Sequence, residues 1–238
     1  MIIEYLSSIS AGLKSLVFDS SCIICGARKE EFCGRCKDEW RSNPKQVTGE
    51  SFKVFSSITY NEVAKRVVLT AKENGLRTAQ NLIISEIKVN VEKLCLSETT
   101  LPREVLLVPI PSSARAIRRR GGDFILEISR AISAELNREL NGIRFATRSL
   151  LKMSRKILDQ TELTQSQREL NLSGAFKVAP DFFTAKPIII IDDVITTGST
   201  LREAVRALKE RNLTVLGAAT ACASQRRLPI RSTNTIAL

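Results

Sequence analysis

Not one of the 238 residues is a histidine. That removes a histidine-based triad, a histidine general base and any zinc site of mixed cysteine and histidine ligands. Chemistry must then come from carboxylates, hydroxyls, basic groups, backbone amides or a metal. Aromatic residues make up only 5% of the chain, too few for extensive stacking on nucleic-acid bases. No apolar run approaches the ~18 residues that span a bilayer. The opening "MIIEYLSSISAGLKSLVF" carries Glu4, has serines inside its apolar part and leads directly into cysteines, so it does not read as a signal peptide. Its Ile2, Leu6, Ile9, Leu13 and Leu16 instead predict a short amphipathic helix. The expected location is cytoplasmic. Internal repeats, low-complexity tracts and the G-x-x-x-x-G-K-[ST] loop of P-loop nucleotidases are also lacking.

What remains is an ordinary globular composition, 43% hydrophobic and 26% charged, with 36 Lys and Arg against 25 Asp and Glu for a net +11. That excess favours anionic partners such as phosphates or nucleic acid. Near the start, "CIICGARKEEFCGRC" sets Cys22, Cys25, Cys33 and Cys36 as two C-x2-C pairs. Gly26 and Gly34 each follow a cysteine where a knuckle must turn. Four thiolates at this spacing can close a tetrahedral structural Zn²⁺ site with no open position. Two disulfides or a redox pair are the alternatives, disfavoured in a cytoplasmic setting. Cys95 and Cys222 lie in apolar contexts and read as buried core thiols.

Pro44 and Gly49 mark a polar boundary, so residues 1–48 are expected to form the N-terminal helix and zinc module and residues 49–238 the main domain. There, apolar stretches alternate with helical patterns. "KVFSSITY", "REVLLVPIP", "KPIIIIDD" and "LTVLGAATACA" read as strands. "NEVAKRVVLTAKENG", "TAQNLIISEIKVNVEKL", "GDFILEISRAISAELNREL" and "STLREAVRALKERN" read as helices. The expected fold class is α/β, a mostly parallel sheet flanked by helices.

The segment "IIIIDDVITTGST" carries the chemistry. Ligands of open α/β sheets bind beyond the carboxyl ends of the strands, where Asp192 and Asp193 are expected. Thr196, Thr197, Gly198, Ser199 and Thr200 then form a small-residue turn into a helix. Such a turn offers backbone N–H groups and hydroxyls to a phosphate. An anion cradle beside a carboxylate pair suits a ribose 5-phosphate, its hydroxyls or a Mg²⁺ ion facing the acids.

These thirteen residues resemble the 5-phosphoribosyl-1-pyrophosphate (PRPP) signature of type I phosphoribosyltransferases. That resemblance implies that Asp192 and Asp193 hold the ribose 2- and 3-hydroxyls and that Thr196 to Thr200 bind the 5-phosphate. Over nearly the whole chain the sequence resembles the ComF family, a zinc ribbon ahead of a phosphoribosyltransferase domain, known for competence in DNA uptake. The four cysteines match its first module. "AKENG" resembles a helix-ending Lys-x-x-Gly and points to Lys72, and "VPIP" with "RRRG" resembles its Val-Pro-x-Pro and Arg-Gly segments. Gln160, Leu163, Arg168, Asn171 and Gly174 to Phe176 resemble a further spaced motif. Two departures stand out: Gly122, Asp123 and Phe124 where the family has Phe-Asn-Gln, and Ile157 where it has a threonine.

The resemblance implies Mg²⁺-dependent phosphoribosyl transfer with release of pyrophosphate. Single-stranded DNA, a DNA-uptake component or a helicase are the implied partners, and a PRPP sensor without turnover is a further reading. Pyrophosphate contacts are expected from Pro109, Ile110, Pro111, Ser112, Lys72, Arg118 and Arg120. Arg115, Arg118, Arg119 and Arg120 are expected on a mobile basic flap. The position that holds an acid in some purine-salvage relatives is Thr196 here.

Overall fold

The computed structural model describes residues 21–28, 30–100, 102–154, 174–180 and 182–228. The predicted N-terminal helix and the motif residues Gln160 to Asn171 lie outside them. The chain divides into two compact units, Met1–Arg41 and Ser42–Leu238. In the described part of the small unit, a turn at Cys22–Gly26 precedes a short helix, α1 (Gly34–Glu39).

In the large unit, elements follow in the order β1 (Lys45–Gln46), β2 (Val54–Thr59), α2 (Glu62–Glu73), α3 (Arg77–Leu96), β3 (Glu104–Pro109), α4 (Ala114–Arg120), α5 (Phe124–Glu139) and β4 (Arg144–Thr147). Then come β5 (Leu151–Met153), β6 (Phe176–Val178), β7 (Ile188–Ile195), α6 (Ser199–Lys209), β8 (Val215–Ala223) and a 3-10 turn, Gln225–Arg227. The main sheet has the order β1-β2-β8-β7-β3-β4. All its pairings are parallel except β1 with β2. Strands β5 and β6 make a separate antiparallel pair. The large unit starts at Ser42, ahead of the 48/49 boundary read from composition, because Lys45 and Gln46 pair with Ser56 and Phe55 and so draw the polar stretch into the sheet.

Local chemistry explains some element ends. Asn61 caps α2, its side chain accepting from the Ala64 N–H at 2.8 Å. Four consecutive isoleucines, Ile188 to Ile191, are all fully buried in β7, as expected for a strand covered on both faces. Ile188 and Ile190 pack with Leu201, Ala204 and Leu208 of α6. Alternation turns Ile189 and Ile191 to the other face, where α3 and α5 pack against the sheet. Each such side chain contributes about 1.5–3 kcal/mol of burial. Strand β7 does not stop at the acids. It continues to Ile195 because Val194 and Ile195 pair with Cys222 and Ala223.

The outer edge, β4, is covered by a side chain. The Asn137 carboxamide donates to the Phe145 carbonyl and accepts from the Phe145 N–H, both at 2.8 Å. Among the described residues, no helix is long and apolar enough to cross a membrane.

Candidate functional site

Parallel pairing puts the carboxyl ends of β3, β7 and β8 side by side. Asp192 and Asp193 stand there, adjacent on β7, with the Asp193 N–H donating to Asp192 Oδ1 at 3.0 Å. Asp193 is buried, and its Oδ2 forms an ion pair with Lys72, reaching over from the last turn of α2. The Lys72 ammonium also lies 5.8 Å from the Phe124 ring centroid.

Burial, followed by the neighbouring negative charge of Asp193, pushes the Asp192 carboxyl well above the ordinary aspartate range. Burial alone would lower Lys72, but Asp193 and Asp192 outweigh it and raise its pKa, so Lys72 stays charged. Tyr60, which sequence reasoning missed, follows β2 at the same end of the sheet. Its phenol is raised first by burial and then by the charge of Asp193.

Against Asp192 lies a cavity of about 210 Å³ that brings together the predicted residues Lys72, Ile110, Pro111, Ser112, Arg120 and Asp192. A larger one, about 820 Å³, opens at the amino-terminal ends of β3 and β4 among Arg103, Arg144 and Lys186. It holds none of the predicted residues.

In the Pro109–Ser113 turn, Pro109 and Pro111 have no N–H, and that of Ile110 donates to the Ile191 carbonyl at 2.9 Å. Ser112 and Ser113 are the residues with amides to offer. The Ser112 hydroxyl donates to Asp123 Oδ1 at 2.9 Å, and Ser113 caps α4 by accepting from Ala116 N–H at 3.2 Å.

The arginines expected on a flap lie on the helix α4. Arg119 Nη2 and Arg120 Nη2 lie 2.8 and 3.0 Å from Glu73, while Arg115 and Arg118 are exposed. Asp123 and Phe124 have local uses: Asp123 accepts the Ser112 bond and Phe124 lies near Lys72.

Beyond β7, Thr196 is exposed and Gly198 and Ser199 are buried. The Thr197 and Ser199 hydroxyls are 2.7 Å apart. Gly198, at φ +77°, precedes α6, and a Cβ there would overlap the Glu50 carboxylate, lying 2.8 Å from its Cδ. Glu50 was not among the predicted residues. Its side chain is fully buried, and Oε1 accepts from Arg202 Nη1 at 2.8 Å and Arg227 Nη1 at 2.9 Å. Nothing local distinguishes Glu50 or Arg227 in the sequence, since they stand 177 positions apart.

A family model for the phosphoribosyl transferase domain matches residues 116–234, half of the 238-residue chain, and includes β7, both acids and the following loop. The chain belongs to the phosphoribosyltransferase family. Among solved structures, this chain is similar to an adenine phosphoribosyltransferase at 13% identity and TM-score 0.36, over 64% of this chain and 74% of that one. It is also similar to the Saccharomyces cerevisiae adenine phosphoribosyltransferase at 11% and 0.37, over 79% and 87%. The Trypanosoma brucei adenine phosphoribosyl transferase, in complex with AMP, pyrophosphate and ribose-5-phosphate, matches at 11% and 0.38, over 83% and 96%. No curated protein matches the chain.

In the small unit, the four sulfurs of Cys22, Cys25, Cys33 and Cys36 lie within 4.8 Å of one another. Gly26, at φ +76°, turns the first knuckle. The second differs from expectation: Gly34 opens α1, so Cys36 comes from a helix that begins after Cys33. Burial opposes ionisation of Cys22, but the Cys33, Cys25 and Ile24 backbone outweighs it and brings the thiol down to about 6. Burial pushes Cys36 up, and its bonds to the other three thiols add to this.

Proposed function

We propose that the large unit binds PRPP and transfers its phosphoribosyl group to an acceptor with release of pyrophosphate. The observation that carries this reading is the adjacent Asp192–Asp193 pair at the carboxyl end of a central parallel strand, leading into the loop that ends at Gly198. Asp192 and Asp193 face the ribose hydroxyls, and Thr196, Thr197, Gly198, Ser199 and Thr200 enclose the 5-phosphate. Lys72, Ser112, Arg118 and Arg120, with the Pro109–Pro111 turn, line the pyrophosphate side.

Asp192, which lines the cavity, and the adjacent Asp193 together offer hard carboxylate oxygens of the kind that fit Mg²⁺. When bound with PRPP, that ion would offset the charge gathering on the departing pyrophosphate. Lys72 pairs with Asp193 and offsets part of the repulsion between the two acids. Thr196 stands where some relatives hold an acid and Asp193 is paired with Lys72, which favours an acceptor amine that is already nucleophilic.

Phosphorus NMR of PRPP and Mg²⁺ with the protein and candidate amines tests this directly. New pyrophosphate is expected, reduced about a hundred- to a thousand-fold in Asp192→Asn. No pyrophosphate with any acceptor would overturn transfer.

Four sulfurs at these distances suit a tetrahedral Zn²⁺ that closes the small unit as a structural centre of the ComF type. One zinc per chain is expected by elemental analysis, with loss of metal and of local order in Cys25→Ser.

The exposed Arg115, Arg118 and Arg119 of α4, together with the +11 net charge, support a second reading. In it the same domain handles single-stranded DNA during uptake, alone or beside a helicase. Such binding rests on phosphate contacts and weakens steeply with salt. Affinity that stays flat from low to moderate salt would contradict it.

A further inference from the structure

Resting on the PRPP reading above, we propose that Arg227 is a positioning residue for the phosphate loop, aiming the Thr197 and Gly198 amides while itself touching no ligand. Its guanidinium lies behind the loop. Nε donates to the Thr196 carbonyl at 3.3 Å, and Nη2 donates to the Thr197 carbonyl. The Ser224 hydroxyl donates to the Thr196 carbonyl as well, at 3.3 Å.

In a trans peptide, a carbonyl and the N–H of the following residue point in opposite directions. Fixing the carbonyls of Thr196 and Thr197 toward Arg227 therefore turns the N–H groups of Thr197 and Gly198 to the other side. Two adjacent donors aimed the same way before the anion arrives form a preorganised cradle. The rigid guanidinium fork suits the task, because one planar group holds two successive carbonyls.

The other end of Arg227 is equally tied. Nη1 donates to the Thr48 and Gly49 carbonyls at 3.4 and 3.3 Å and to Glu50 Oε1 at 2.9 Å. The Thr48 N–H returns a bond to the Arg227 carbonyl at 2.8 Å. Glu50 Oε2 is buried without a hydrogen-bond partner, a costly placement for folding alone. The charge is held there beside Gly198, where it neutralises the arginine that faces the loop carbonyls.

The test is calorimetric titration of PRPP, and separately of inorganic phosphate, into the full chain and its Arg227→Lys variant. Lysine keeps the charge but cannot hold both carbonyls in one plane. PRPP binding is expected to weaken about ten- to a hundred-fold in Arg227→Lys, with kcat at saturation nearly unchanged. The PRPP-induced shifts of the Thr197 and Gly198 amide nitrogens should shrink in the same variant. Arg144→Gln, which removes one positive charge at the opposite end of the sheet, should bind as wild type does.

Wild-type affinity in a folded Arg227→Lys would overturn the proposal while leaving PRPP binding intact. Failure of the wild type to bind PRPP would overturn the underlying reading, and the role of Arg227 with it. If Arg227→Lys does not fold, Glu50→Gln carries the same test by loosening Nη1. Unchanged affinity there would overturn the proposal.

Discussion

Thr196–Thr200 and Ala114–Arg120 both leave the carboxyl end of a strand close to Asp192, yet they are held differently. The first has its carbonyls fixed by Arg227 and is backed by a fully buried carboxylate. The second carries three exposed arginines, and its tie to α2 runs through Glu73, which Arg119 and Arg120 share. The Arg119 pair is exposed, so it contributes only about 0–1 kcal/mol and is screened by salt, while Arg120 is half-buried. One side of the site is therefore set before a ligand arrives, while the other can rearrange around it. Under the PRPP reading, the rigid side meets the unreactive 5-phosphate and the adjustable side meets the group that leaves.

The hardest way to break this contrast is Gly198→Ala. A side chain there must adopt φ +77° and displace the Glu50 carboxylate, so PRPP affinity should fall about a hundred-fold, as calorimetry would read. A smaller effect, of opposite sign for stability, is expected from Asp192→Asn. Asp192 is raised in the folded state, so folding stability is lost as pH rises through the unfolded and then the folded pKa. Asparagine removes that loss. Thermal melts should show a gain of about 0.5–2 kcal/mol at neutral pH that disappears below the ordinary aspartate range, alongside lost activity. The mildest is Glu73→Gln, which frees Arg119 and Arg120. Binding of PRPP should tighten about three-fold at low salt and return to the wild-type value at high salt. No change at low salt would mean that these arginines do not face the ligand.

What could be read in advance follows the range of each interaction. The strand–helix alternation was legible because it is punctuated locally: Asn61 caps one helix, and the apolar run of β7 announces a strand covered on both faces. The acids and the loop were legible as one short segment, as were the cysteine pairs. Helix α4 was missed although Ser113 and Gly121 mark its ends, because its seven residues form too short a run for periodicity and arginines dominate them. The β5–β6 pair was missed for a different reason. Strand β6 is held from α6, where Glu203 accepts from the Phe176 N–H at 3.1 Å and Arg206 donates to the Phe176 carbonyl at 3.2 Å. That clamp gives the Gly174–Phe176 motif a structural use that its spacing could not reveal. Glu50 and Arg227 belong to the same class, since long-range charge pairing leaves no mark on either neighbourhood.

The side-chain amide of Asn137 has a bearing on how copies of this protein meet. An open strand edge is a template on which another chain can polymerise, and exposed edges of that kind seed aggregation. Here one end of the sheet is β4, whose Phe145 N–H and carbonyl are already occupied by Asn137, and the other is the two-residue β1. A sheet so finished offers a poor template for runaway growth at its two ends. Among the described residues, the two ends of the main sheet leave little edge backbone for another chain to share.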